Sequence, residues 1–211
     1  MKILLLGPLW RNASIRDFLV ERNNSVECTA DPIDIEFLTN NGIEFLISSG
    51  YAPIIKSPIV QLFKNRIINL HATYLPYGKG IGTTFFSIFE GTPTGVCIHY
   101  IDEKIDTGPV IVRKLVSYTP YDTLRSTHGK LLAATEQLFH EYWDLIAAGK
   151  NEAIPQETFK IHVPYRSRVD SERFMDLLPQ KWDTPLIQIE EMGAEFFVSE
   201  SFWGKYEQEN S

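Results

Sequence analysis

Short apolar runs alternate with amphipathic stretches through the first third of the chain. Residues 2–6 (KILLL) read as a buried strand stopped by Gly7, and residues 12–22 carry apolar positions at helical spacing, with Asn12 or Ser14 as the expected cap. Residues 25–30 predict a second strand. Residues 31–40 predict a helix with Asp31 as cap and Pro32 at its first position. Residues 44–49 (EFLISS) predict a third strand ended by Gly50, residues 57–64 a short helix, and residues 66–70 (RIINL) a fourth strand. Strand and helix in alternation imply a parallel sheet with crossover helices.

The pattern then changes. Residues 95–101 (GVCIHYI) and 109–117 (PVIVRKLVS) are β-rich runs close enough to pair as antiparallel neighbours, so the sheet becomes mixed. Residues 121–149 form the longest helical pattern, with Asp122 as cap, a weak point at Gly129 and Gly149 as its end. The expected architecture is α/β: a Rossmann-like, mostly parallel sheet over residues 1–149, followed by a small C-terminal extension over residues 150–211. Phe85, Phe86 and Phe89 have helical spacing and read as core.

Composition narrows the function classes. The 211 residues hold 20 Lys and Arg against 27 Asp and Glu, for a formal net charge of −7, which argues against a broad grip on nucleic acid. The acidity is uneven. Residues 186–211 carry six acids and one base, so −5, which leaves −2 for the rest; residues 45–89 carry four bases and no acid. Cys28 and Cys97 lie far apart in apolar runs, read as small buried hydrophobes in a reducing compartment, and form no metal-binding pair. MKILLLGPLW is broken by Gly7, Pro8 and Arg11 and lacks a signal-peptide core. No stretch approaches the roughly 20 apolar residues of a membrane span. The cytoplasm, no membrane contact and no metal are the expectations.

Chemistry-bearing residues concentrate between positions 69 and 108. Asn69 and His71 leave the carboxyl end of the fourth strand, where ligands bind in open α/β sheets, and period-2 alternation puts them on one side. Gly78, Gly80 and Gly82 follow in a loop that permits close backbone approach. Asp106 sits in IDEKIDTG between the two late strands, where a carboxylate can orient a histidine and favour its protonated form. An amide donor for an oxyanion, an imidazole and a carboxylate suit acyl transfer without a covalent enzyme intermediate. No GxSxG nucleophile elbow is present. A lone histidine after a strand is commonly a satisfied core residue, so spacing alone leaves the triad open.

The stretch NLHATYLPYGKGIGTTFFSIFEGTPTGVCIHYIDEKIDTGPVI resembles the signature of the folate-dependent formyltransferases: Asn-x-His, a Leu-Pro loop, then an acidic D-x-G loop. The resemblance implies Asn69, His71 and Asp106 as catalytic residues, N10-formyltetrahydrofolate as donor and an amine as acceptor. It implies a pterin pocket that includes Gly50, Tyr51, Ile54 and Ile55 after the third strand, and Asp102, Lys104 and Ile105 before Asp106. Similarity is closest to the enzymes that formylate nucleotide-linked amino deoxysugars for surface polysaccharides, dTDP-linked sugars being favoured. ISSGYAPII, IHYIDEKIDTG and YRSRVDSERFMDLLPQKWDTP carry that similarity, although Gly78-Lys79-Gly80 stands where an Asn-Arg-Gly is usual. The glycinamide ribonucleotide enzyme's Gly-Ser-Asn loop is replaced by GPLWRNAS, and the acidic C-terminal segment does not suit a tRNA. A folate- or nucleotide-sugar-binding relative without activity is the other class.

Trp10 and Arg11, on the same sheet edge, are candidates to stack on and neutralise a nucleotide; Tyr77, Lys79 and Thr83 are further substrate-binding candidates. Arg166 and Arg168 pose the same question beside acidic neighbours. His99, His128, His140 and His162 are assigned no chemistry, His99 being expected to lie half-buried on its strand. The apolar positions of residues 174–203 suggest a homodimer through C-terminal elements.

Overall fold

The structure, a computed structural model, describes residues 1–198. Its main sheet has six strands in the order β2-β1-β3-β4-β6-β7. These are β1 (Lys2–Leu6), β2 (Ser25–Thr29), β3 (Phe45–Ser48), β4 (Ile67–His71), β6 (Gly95–Tyr100) and β7 (Val110–Leu115). The crossovers are α1 (Leu9–Glu21), α2 (Ile35–Asn40) and α3 (Ser57–Leu62). β2, β1, β3 and β4 pair in parallel and β6 pairs with β7, as the patterning predicts; both β6–β7 and the β4–β6 pairing that joins them to the parallel set are antiparallel. The chain passes from β1 outward to β2, then back to β3 on the other side of β1. The carboxyl ends of β1 and β3 therefore flank the point where strand order reverses, the usual crevice for a ligand.

Alternation along the strands fills two layers. Ile3 and Leu5 of β1 pack with Ile15 and Leu19 of α1 and with Leu138, Phe139 and Trp143 of α5 (Leu124–Ala147). Leu4 and Leu6 face the other way, into Leu38, Ile59 and Phe63 beneath α2 and α3. Trp143 and Phe139 are among the largest fully buried side chains, so truncating either to Ala costs about 3–5 kcal/mol. Cys97 is fully buried, and burial pushes its thiol up to about 12, consistent with a packing role.

Helix starts differ from the sequence expectation. Asn12 does not cap α1. The helix begins at Leu9 after Pro8, and Asn12 is wholly buried in its first turns, with Nδ2 donating to Pro8 O at 3.2 Å and Ser49 O at 3.1 Å. Asp34, not Asp31, caps α2 by accepting the Phe37 N–H at 2.7 Å. Thr123 caps α5 in a capping box with Ser126, and Gly129 does not interrupt the helix; Gly149 follows its end at φ 63°.

The segment after α5 is more structured than its polar composition suggests. It holds a 3-10 turn (Gln156–Phe159), β8 (Tyr165–Arg166), α6 (Arg168–Leu177) and α7 (Leu186–Val198). β8 pairs in parallel with the two-residue β5 (Lys79–Gly80) in the loop after β4. Phe85, Phe86 and Phe89 of α4 (Thr83–Phe89) form a core with Phe174, Leu178, Leu186 and Ile189. Gly193 of α7 lies so close to α4 that a Cβ there would come within 1.9 Å of Phe89 O.

Candidate active site

β4 keeps its period through His71. Ile68 and Leu70 point into the α1–α5 layer, while Asn69 and His71 lie on the opposite face, that of α2 and α3, and are both only partly buried. The register of β4 against β6 sets Asn69 opposite His99 and His71 opposite Cys97. Cross-strand partners share a face, so His99 meets Asn69.

His99 is 2% exposed and is the functional residue that sequence patterning passed over. Its Nδ1 lies 2.8 Å from Tyr100 O, a carbonyl that can only accept, so Nδ1 carries the hydrogen. Its Nε2 then accepts from Asn69 Nδ2 at 3.2 Å. This contact fixes the Asn69 amide with its nitrogen toward His99 and leaves the second Nδ2 hydrogen available to another acceptor. Burial, opposed by Asp106, holds the His99 pKa down to about 4, so the ring is neutral near pH 7.

Asp106 reaches the same place from the β6–β7 loop. It adopts φ 54°, the left-handed region, where Asp is one of the better tolerated side chains. The turn is closed by Asp102, whose Oδ1 accepts from Thr107 Oγ1 at 2.6 Å and Lys104 N at 3.1 Å. Gly108 is required by close approach, since a Cβ there would lie 1.9 Å from Tyr100 O. Asp106 Oδ2 accepts the Gly80 N–H at 2.9 Å and stands 3.4 Å from His71 Nε2; Oδ1 stands 3.7 Å from His99 Nε2. Burial raises the Asp106 pKa, but His71, His99, the Gly80 N–H and Lys79 together outweigh it and hold the carboxyl below its usual range. His71 Nε2 is buried and makes no hydrogen bond, so its 3.4 Å approach to the carboxylate is electrostatic.

Asn69, His71 and Asp106 thus converge. An amide N–H and an imidazole facing an ionised carboxylate can stabilise negative charge on a carbonyl oxygen and move a proton beside it. The other expected residues lie on neighbouring elements. Tyr51 and Ile55 pack with Ile101 on the apolar layer of the same sheet face, and the Tyr51 hydroxyl donates to Asp31 O at 2.8 Å. Ile54 is 76% and Ile105 44% exposed, and Lys104 is exposed. Glu103 joins the β6–β7 loop to α3 by accepting from Ser57 Oγ at 2.7 Å and Gln61 Nε2 at 3.0 Å. The apolar layer on this sheet face, with Tyr51, Ile55 and Ile101 packed against it, would suit the flat ring of a pterin.

On the reversal crevice, Gly50 has φ 69°, and Arg11 packs against it so closely that a Cβ on Gly50 would come within 2.9 Å of the Arg11 Cδ. Arg11 is half-buried, burial lowers its pKa, and no carboxylate among the described residues forms an ion pair with it. Trp10 beside it is 79% exposed. Tyr77 stacks on Tyr74 at 6.4 Å, Lys79 lies in β5 within the field of Asp106, and Thr83 is buried at the start of α4. Close approaches at Gly78, Gly80 and Gly82 are to Thr73, Arg166 and Ser171, so these glycines fit the loop to the protein itself. Arg166 pairs with the partly buried Glu90 and lies over the Phe86 ring at 4.6 Å, a structural role. His128 contacts Thr84 Oγ1 at 3.0 Å, and His140 stacks on Phe18 at 3.9 Å. Among the described residues no group of His, Cys, Asp and Glu could hold a metal, and no helix is long and apolar enough to cross a membrane.

Residues 12–142 match the family described as formyl transferase. Among solved structures, the formyltransferase PseJ from Anoxybacillus kamchatkensis aligns with a TM-score of 0.82 and 43% identity, over 90% of this chain and 97% of that one; its crystal structure holds UDP-4,6-dideoxy-4-formamido-L-AltNAc and tetrahydrofolate. A dTDP-4-amino-4,6-dideoxyglucose formyltransferase of Mycobacterium bovis is 33% identical over 86 residues, 41% of this chain and 37% of that protein. A methionyl-tRNA formyltransferase of Parabacteroides distasonis is 36% identical over 92 residues, 43% of this chain and 28% of that protein. The matches span about a third of the length of these curated relatives. The family match runs from α1 through most of α5 and takes in every main-sheet strand after β1, so the chain belongs to the formyl transferase family.

Proposed function

We propose that the protein transfers a formyl group from N10-formyltetrahydrofolate to the amino group of a nucleotide-linked amino deoxysugar. The observation that carries the reading is the convergence of Asn69, His71 and Asp106 on one sheet face, with the Asn69 amide oriented by His99. The likeness to PseJ, over nearly the whole of both chains, supports a sugar nucleotide as acceptor.

The amine nitrogen would bond to the formyl carbon, and the bond from that carbon to N10 would then break, so that tetrahydrofolate leaves with N10 taking up the proton that the amine loses. The free Nδ2 hydrogen of Asn69 and a protonated His71 stabilise the oxyanion that forms on the formyl oxygen. Asp106, ionised and facing His71 Nε2, receives the proton that the amine loses and relays it toward the departing N10. Gly50, Tyr51, Ile54 and Ile55 line the donor's pterin side, with Asp102, Lys104 and Ile105 forming the opposite turn. Arg11 neutralises the diphosphate and Trp10 stacks on the base, with Tyr77, Lys79 and Thr83 toward the sugar. A pyrimidine nucleotide is the proposed class. Motif similarity favours dTDP, and the PseJ complex holds a UDP-linked product, so both belong in the assay.

The test incubates the protein with N10-formyltetrahydrofolate and a panel of dTDP-, UDP- and GDP-linked amino sugars, read by mass spectrometry. Glycinamide ribonucleotide and methionyl-tRNA serve as alternative acceptors. Formylation of a pyrimidine-linked amino sugar, with His71→Asn reduced at least about 100-fold, is the expected result. A His71→Asn variant at full rate refutes the mechanism. No product with any sugar refutes the acceptor, and folate binding without transfer to any amine favours a binding protein.

A further inference from the structure

We propose that Gln156, in the segment after α5, is a positioning residue that aims the Asp106 carboxylate. The inference rests on the proposed role of Asp106 in formyl transfer. Asp106 directs its Oδ2 at His71 and the Gly80 N–H from a backbone in the left-handed region, so the side chain's direction depends on how that turn is held. Gln156 is 4% exposed. Its Nε2 donates to Asp106 O at 2.9 Å and to Gly108 O at 2.9 Å, spanning the turn. Both hydrogens of one amide nitrogen are used. The flipped amide would set Oε1 against two carbonyl oxygens, so the orientation is determined.

The delivery of Gln156 is equally constrained. Val110 and Ile154 exchange backbone hydrogen bonds of 2.9 and 2.8 Å, which pins the chain two residues before Gln156 to the first residue of β7. The second holder of the carboxylate is also tied to this segment, because Gly80 pairs with Arg166 of β8. Backbone and side chain of Asp106 are thus both braced by residues beyond position 149. Gln156 Oε1 is buried without a hydrogen-bond partner. Gln156→Met keeps the volume, removes both donors and also removes that buried unpaired oxygen; it leaves the Asp106 and Gly108 carbonyls without their donor, so its folding is measured by urea titration.

The experiment compares wild type, Gln156→Met, Asp106→Asn and the double variant in steady-state formyl transfer, together with the Gly80 amide resonance in 1H–15N spectra. Gln156→Met is expected to lower kcat on the order of 10- to 100-fold, the cost of a misplacement near 1 Å, with KM for both substrates within about twofold. In the Asp106→Asn background the same substitution is expected to add no further loss, since both act on one group. The Gly80 amide is expected to lose its carboxylate-bonded shift in Gln156→Met as it does in Asp106→Asn. Gln156→Glu, which offers only acceptors when ionised, is expected to repeat these effects and stands in if the Met variant is unfolded in urea titration. An unchanged kcat and Gly80 resonance in a folded variant overturns the proposal, as does a full additional loss on top of Asp106→Asn. If the wild type forms no product while the Gly80 resonance responds as expected, formyl transfer fails and the positioning of Asp106 stands.

Discussion

Replacing His99 with Phe keeps a ring of similar shape on β6 and removes both ring nitrogens. Two partly buried groups lose their partner: the Tyr100 carbonyl at 2.8 Å and the Asn69 amide at 3.2 Å. Each buried polar group left unpaired costs about 1–3 kcal/mol, so His99→Phe is expected to destabilise the fold by about 2–4 kcal/mol near pH 7. The difference should shrink in acid. Burial, opposed by Asp106, holds folded His99 at about 4, below the ordinary histidine value of 6.5. Between these values the unfolded chain binds a proton that the folded chain refuses, so the wild type loses stability as pH falls through this window. The loss approaches about 3 kcal/mol, at 1.36 kcal/mol per unit of pKa difference. His99→Phe has no such proton to bind. Urea unfolding followed by tryptophan fluorescence at about pH 7 and about pH 4.5 measures both proteins. A wild-type advantage that narrows by about 2–3 kcal/mol supports a neutral, buried His99. An advantage independent of pH would refute it, and with it the reason given for the orientation of the Asn69 amide.

Arg11→Met keeps the packing on Gly50 and removes the charge; KM for the nucleotide sugar should rise about tenfold with kcat within about twofold, and an unchanged KM would remove Arg11 from the substrate site. Gly108→Ala places a methyl 1.9 Å from Tyr100 O, so the Asp106 turn must shift; transfer should fall by at least about 100-fold while far-UV circular dichroism stays native, and normal activity would show that the turn is dispensable. A homodimer through the C-terminal apolar segment, of which residues 199–203 lie outside the described residues, predicts a concentration-dependent mass in sedimentation; exposed Leu177, Trp182 and Ile187 are the described positions that favour it, and a constant monomer mass excludes it.

Much of the site was legible in the sequence because its two densest signals are local. Period-2 alternation put Asn69 and His71 on one side, and β4 does persist to His71. The motif resemblance supplied Asp106, whose turn is marked by Thr107 and Gly108. Other parts depended on contacts between distant segments. His99 became the partner of Asn69 through the β4–β6 register, which brings together positions 30 residues apart. Asn12 looked like a cap because Asn is common there, yet it is buried in α1 and donates across to Ser49 O. Gln156 lay in a stretch that read as polar loop, and its bonds to the Asp106 turn span 50 and 48 residues.

The sequence alone determined the alternating α/β order, the faces of the strands, and the placement of a basic 45–89 segment in a chain of net −7. Those properties follow from near-neighbour periodicity and composition. The tertiary structure decided the tautomer and burial of His99, the Arg11–Gly50 contact, and the bracing of Asp106 by the C-terminal segment. Each is a pairing of groups far apart along the chain, and such pairings are set by strand register and by which buried polar groups can satisfy one another, neither of which any local pattern encodes.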